Sequence, residues 1–232
     1  MTENLEALRE ALPRLGEGVL ITLQLTLGGA LLALTLSVVL GLMSLSPARP
    51  LRWLATIVVE FFRGTSLVVQ LFWLYYVMPL FGVSWDAVLT GVIALGLNYG
   101  AYGAEVVRGS INAVDKGQWE GAIALNMSRA TRMRRIIWPQ AWALMLSGYN
   151  NLLVMLIKGT AVAAFITLQD LGYEITELRI STTTVFAFSV GLLGYYLIAL
   201  AFSTGVRVLE ARARRRLGLP IRSSHASAGV SL

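Results

Sequence analysis

The chain has 232 residues, of which 56% are hydrophobic and only 14% charged, with a mean hydropathy of +0.68. Soluble domains carry roughly 25% charged residues, so a globule that faces water all round is excluded. Cysteine is absent and His225 is the one histidine, which leaves no material for disulfides, a thiolate or histidine-rich metal site or a Ser-His-Asp triad; the net charge of +6 then reads as basic loops on one side of a membrane rather than as a nucleic-acid surface.

In chain order, Met1–Glu17 holds four acids and two bases. It lacks the basic start of a signal peptide, so none is expected. Leu5, Leu8, Leu12 and Leu15 recur at helical spacing and predict an amphipathic helix lying on the membrane surface. A spanning helix needs about 20 largely apolar residues, within a range of roughly 17–25. The uncharged run of 31 residues between Glu17 and Arg49 supplies a first span over about 19–45. Pro50–Arg63 is apolar but broken by Arg52, Glu60 and Arg63. It predicts a short interfacial helix, with Glu60 and Arg63 paired on one face.

A second span follows over 64–83, in which Trp73, Tyr75 and Tyr76 read as packing or interfacial-belt aromatics. A third covers 87–106. Its Gly96, Gly100 and Gly103 form a small-residue face suited to close helix packing. A fourth covers 138–160, with the 11 residues Gly159–Gln169 too few to cross again and read as its exit. A fifth covers 184–207, followed by the basic run Arg212–Arg216, a topology anchor and lipid-headgroup contact. Residues 1–232 thus form a single transmembrane domain, an all-α membrane protein with no internal repeat.

Five spans put the termini on opposite sides. One side then carries 14 lysines and arginines and the other carries three, Arg9, Arg14 and Arg179. The basic side is the cytoplasmic one, so the N-terminus is expected outside and the C-terminus in the cytoplasm. Polar groups inside the spans are candidate pathway residues. Asn98 and Asn150 either line a path or bond a neighbouring helix. Lys158 lies roughly 28 Å up its helix from Pro139 at 1.5 Å per residue. It either snorkels to the interface or, with Thr160 beside it, lines the pathway or pairs with an acid.

The stretch from about 108 to 138 is too long for a simple turn. Local chemistry predicts two short helices in it. The first lies near Lys116–Leu125 and stops at Asn126, which tolerates the left-handed conformation. Ser128 is placed to cap the second, and Pro139 suits the start of span four. The cationic Arg129, Arg132, Arg134 and Arg135 serve either headgroups and topology or a partner protein.

This loop resembles that of ABC importer permeases, whose pattern is E-A-A-x3-G-x9-I-x-L-P. Glu120, Ala122, Ile136 and Pro139 match in identity and spacing, while Gly121, Asn126 and Trp138 stand in for Ala, Gly and Leu. The segments Val59–Ser66, Val69–Phe72, Ala104–Gly109 and Lys116–Glu120 are similar to the polar amino-acid branch of that family. The likeness runs from about Leu20 to Arg216. Asn126, Trp138 and Lys158-Gly159-Thr160 look like the compatible-solute, ectoine-type subgroup, although Gly159 replaces an acid common in related chains.

The resemblance implies a type I permease fold in the inner membrane and import of a polar amino acid or zwitterionic solute. It implies three protein partners: a cytoplasmic ATPase dimer, a second permease subunit and an external solute-binding protein. The loop Glu120, Gly121, Ala122, Asn126, Ile136 and Pro139 would couple to the ATPase, with Glu120 a charged contact. No G-x4-G-K-[ST] phosphate cradle is present, so ATP would be bound and hydrolysed by the partner, and this chain is expected to bind no cofactor and catalyse nothing. Rival readings are a secondary transporter or channel and a non-transporting scaffold. Neither explains the Glu120-to-Pro139 loop.

Overall fold

The computed structural model describes residues 2–218. Arg222 and His225 lie outside them. The secondary structure of the described residues is all helical: α1 (Thr2–Ser44), α2 (Arg49–Gly64), α3 (Leu67–Phe72), α4 (Ala87–Asn112), α5 (Lys116–Ala124), α6 (Arg129–Arg132), α7 (Trp138–Gly159), α8 (Leu171–Ser181) and α9 (Thr184–Arg216). Short π and 3-10 turns extend α3 to Phe81, join α6 to α7 and carry α7 on to Ile166. Four of these helices are long and apolar enough to cross a membrane, and a bent pair over 49–81 makes a candidate fifth.

The core is a seam between α1 and α4, which run parallel. Gly28 and Gly41 of α1 face Val92 and Val107, while Gly96, Gly100 and Gly103 of α4 face Leu32, Leu36 and Ser37. A Cβ on Gly103 would sit 2.6 Å from the Ser37 Cβ, and one on Gly100 would sit 2.9 Å from the Leu36 Cβ. The helices therefore approach until backbone meets side chain, as small residues allow in apolar surroundings. Ser37 also shares a 2.7 Å hydrogen bond with the Tyr149 hydroxyl, which ties α7 to the seam. At one end of the bundle, Val107 and Ile111 of α4 and Val114 just past its end bury against Ile137, Ala141 and Met145. The α5–α6 loop lies there, and so do the C-terminal end of α9 and most of the lysines and arginines.

Two expectations are corrected. The N-terminal leucines do not form a separate surface helix. Nothing breaks the ladder after Leu15, so α1 is one helix of 43 residues, about 65 Å long at 1.5 Å per residue. Ala11 and Leu15 bury against Leu171, Ile175 and Leu178 of α8. Second, the span expected over 64–83 is not one straight helix: the run Leu67–Phe81 meets α2 at 101°, and the bent pair together makes the candidate fifth span. Fifteen residues reach only about 22 Å, short of a ~30 Å hydrocarbon core, and Gly82 ends the run in the left-handed region at φ 80°. Past the exit of α7, the segment before α9 contains α8. Asp170 caps it by accepting from the Tyr173 N–H at 3.0 Å. Asp170 is fully buried, with the Tyr195 hydroxyl donating to it at 3.3 Å. Burial pushes its carboxyl up to about 6 against the lowering pull of these hydrogen bonds.

The seam predicts a sign. Gly→Ala in a helix interior ordinarily stabilises by up to about 1 kcal/mol, and Gly109→Ala, where the new Cβ meets nothing within 4 Å, follows that rule. Gly96→Ala and Gly103→Ala instead overpack the seam and cost about 1–3 kcal/mol. Thermal unfolding of the three variants in one detergent checks this, with the midpoints of the two seam variants below wild type and that of Gly109→Ala at or above it.

Candidate functional site

The loop between α4 and α7 is built by capping chemistry. Asp115 Oδ1 accepts from the Gly117 N–H at 2.7 Å and starts α5. At the other end, the Met127 N–H donates to the Ala122 carbonyl at 3.1 Å and the Asn126 N–H to the Ile123 carbonyl at 2.8 Å. These two bonds, with Asn126 at φ 52°, are a Schellman ending. That is why the position held by Gly in the family pattern accepts Asn here: both residues enter the left-handed region at low cost. Ser128 then caps α6, accepting from the Thr131 N–H at 3.2 Å.

One side of this loop is fastened to the bundle. Ala122 and Ile137 are buried, and Trp119, Met133 and Ile136 pack on the cluster at the end of α4. The Arg132 guanidinium lies 5.5 Å from the Trp119 ring centre. Gln140 of α7 donates to the Gln118 amide oxygen at 3.2 Å and to the Ile136 carbonyl at 3.0 Å. Pro139 sits in the first turn of α7 just after the π turn Met133–Ile137, where a missing N–H breaks least. The other side is open. Glu120, Gly121, Asn126, Arg129, Arg134 and Arg135 are exposed, and between them stand Ile123 and Leu125 at 56% and 73% exposure.

The candidate intramembrane residues do not form one site. Asn98 is buried and donates to the Phe62 carbonyl at 3.1 Å and the Gln70 amide oxygen at 3.2 Å. Gln70 donates to the same Phe62 carbonyl at 2.9 Å and to the Thr65 hydroxyl at 2.6 Å, and the Tyr102 hydroxyl donates to the Arg63 carbonyl at 3.3 Å. The group satisfies the carbonyls left open where α2 breaks from α3. Thr160, fully buried, donates to the Ile157 carbonyl at 2.8 Å as α7 tightens. Lys158 is exposed, with no carboxylate within 4.0 Å among the described residues. Asn150 is half-buried, and its side-chain oxygen has no hydrogen-bond partner. At Gly159 a side chain would collide with Tyr99, whose hydroxyl lies 2.5 Å from where a Cβ would be and donates to the Met155 carbonyl at 2.9 Å. The acid common in related chains has no room there.

Sequence reasoning passed over Trp119, Ile137, Gln140 and Gln70. The first three sit in or beside the matched loop, and the i, i+4 spacing of the apolar Met133 and Ile137 was the available signal. Asn98, which donates to Gln70, lies 28 residues away, a pairing that no local pattern reports.

The Schellman ending predicts that Asn126→Gly leaves the loop intact, whereas Asn126→Val forces a β-branched residue to positive φ at about 1–2 kcal/mol. Amide hydrogen exchange checks this: the Met127 N–H stays protected in the first variant and exchanges several-fold faster in the second.

Residues 33–215 match the family model described as the binding-protein-dependent transport system inner membrane component. A probable amino-acid ABC transporter permease protein of Sinorhizobium fredii is 38% identical over 213 residues, covering 88% of this chain and 89% of its own. The L-cystine transport system permease protein TcyB of Bacillus subtilis is 34% identical over 206 residues, covering 88% of each. Among solved structures, an amino acid ABC transporter crystallised with histidines superposes with a TM-score of 0.81 at 30% identity, over 88% of this chain and 96% of that one. A chain of the MetNI methionine ABC transporter superposes with a TM-score of 0.70 at 17% identity, over 84% of this chain and 95% of that one, a likeness of fold. This chain therefore belongs to the inner-membrane components of binding-protein-dependent transport systems, the multi-pass permease subunits of ABC importers with the type I fold.

Proposed function

We propose that the chain is the permease of an importer for a polar amino acid or a related zwitterion of the ectoine type, and that α5 and its flanking turns form the coupling contact with a cytoplasmic ATPase dimer. The observation that carries this is the two-sided loop. Ala122, Trp119 and Ile137 fasten it to α4 and α7, while Glu120, Ile123 and Leu125 face outward. A force applied to the outer side reaches both membrane helices as a rigid-body displacement. Glu120 is the charged contact, and Gly121, Ala122, Asn126, Ile136 and Pro139 give the loop its shape.

On this reading the loop end is cytoplasmic. It gathers Arg49, Arg52, Arg108 and Arg212–Arg216 with the loop arginines, as the positive-inside rule requires, and the start of α1 lies outside. ATP is bound and hydrolysed by the partner ATPase. A second permease copy or sister chain completes the path, and an external binding protein delivers the solute. The names of the S. fredii and B. subtilis relatives support an amino-acid-sized cargo. The ectoine-type refinement rests on Asn126, Trp138 and the Lys158-Gly159-Thr160 run.

ATPase activity in proteoliposomes tests the reading. The permease is assembled with the ATPase and binding protein of its own system, and wild type is compared with Glu120→Ala. Wild-type hydrolysis rises several-fold with liganded binding protein, and the variant inserts normally but loses that rise. A wild-type complex with no stimulation by any amino acid or ectoine would contradict the importer assignment of solute and coupling together, and a Glu120→Ala variant stimulated like wild type would contradict the role of Glu120.

A further inference from the structure

Between α7 and α9 lies a slot in two adjoining parts. The inner part, about 230 Å³, is walled by apolar side chains that include Leu34, Leu153, Leu156 and Val206, with Tyr99 at its floor. The outer part, about 530 Å³, opens at the loop end beside Pro139, Arg212, Ala213 and Arg216. Trp142, Leu146 and Leu209 border both, so the two parts adjoin at these side chains. From Trp142 to Leu156 the slot follows α7 for about 21 Å at 1.5 Å per residue, a little more than one leaflet of a ~30 Å hydrocarbon core.

The mouth carries charge and the depth carries none. Arg212 and Arg216 stand one helical turn apart and exposed, and among the described residues neither has a carboxylate within 4.0 Å. Arg214, between them in sequence, is turned away and pairs with Glu210 at 2.9 Å. Trp138 and Trp142 stack beside the mouth at 6.3 Å between ring centres, the level at which indoles sit in a bilayer interface. Because α7 and α9 pack against each other, no further helix lies between them, which would need 8–10 Å between axes. A flexible chain fits the slot. Guanidinium groups pair with phosphate through a planar fork of N–H donors, and basic pockets between membrane helices are suited to anionic headgroups.

We propose that this slot is a binding site for one anionic phospholipid, its phosphate held by Arg212 and Arg216 and an acyl chain lying along Leu146, Leu153 and Leu156. The site does not involve the solute, and it meets the coupling loop only at Pro139, beside its mouth. It would make the packing of α9 on α7 sensitive to the charge of the surrounding lipid.

Brominated lipids test it, because bromine quenches a tryptophan it touches. The full chain is reconstituted in phosphatidylcholine containing either brominated phosphatidylglycerol or brominated phosphatidylcholine, and the Trp142 signal is taken as the difference from Trp142→Phe. Wild type should bind the anionic lipid about tenfold or more in preference, at roughly fivefold per arginine. Arg212→Gln with Arg216→Gln should bring the preference close to one while brominated phosphatidylcholine still quenches. Arg212→Lys with Arg216→Lys should keep most of it, and Arg134→Gln should change nothing. Equal quenching of wild type by the two lipids would overturn the proposal in favour of unselective lipid contact. No quenching by either would overturn it in favour of a protein, such as a second copy of this chain, covering the groove.

Discussion

The near-contact of α1 and α4 is the constraint on which the other elements depend. In an apolar medium no hydrophobic force drives helices together, so association rests on van der Waals packing and a few polar bonds. Here glycines on both helices interleave with the larger side chains opposite, among them Leu32, Leu36, Val92 and Val107. The pair forms a stiff parallel backbone for the bundle. Helix α2 packs across it, α7 is fixed to it through Ser37 and Tyr149 and through the cluster around Ile137, and α8 closes on the start of α1. The loop inherits this rigidity, because Trp119 and Ile137 stand on the last turns of α4.

A second constraint follows from the membrane. Irregular backbone at membrane depth needs partners for its polar groups within the protein. The break between α2 and α3 opens the carbonyls of Phe62 and Arg63. Gln70, Asn98 and Tyr102 supply the donors. Asn98 is thus a helix-to-helix bond rather than an isolated polar group facing a path. At the opposite end of the bundle, α8 begins with the buried Asp170 capping its first turn, and Thr22 accepts from the Leu171 N–H at 3.1 Å. In both places a buried polar group holds a change of chain direction.

What could be read from the sequence divides along the same lines. Local chemistry was legible: the stop at Asn126, the cap at Ser128, the Glu60–Arg63 pair, which closes at 3.7 Å, and the small face of α4. Long uncharged runs marked α1, α4, α7 and α9. Three features were not legible because they depend on distant residues. The N-terminal leucines looked amphipathic, but Leu8 and Leu15 pack with α8, which begins more than 150 residues later. The 101° break after Gly64 is stabilised by donors on α4. The acid Asp170 reads locally as a loop residue, and only the fold brings Tyr195 and Thr22 around it. The loop residues Glu120, Gly121, Ala122, Asn126, Ile136 and Pro139 do fall in one compact segment, whereas Asn98, Asn150, Lys158 and Thr160 are scattered over separate surroundings.

The proposed coupling turns on one contact, that of α5 with the ATPase. The chain contains no cysteine, so a single introduced thiol is a unique label. The most direct measurement places a benzophenone on Ile123→Cys, on the open face of α5, and in a separate protein on Leu193→Cys, exposed on α9, then irradiates each in the assembled transporter. Coupling through α5 predicts an adduct with the ATPase from Ile123→Cys and none from Leu193→Cys. A complex that assembles and hydrolyses ATP yet gives no adduct at Ile123→Cys, or gives equal adducts from both positions, would contradict it.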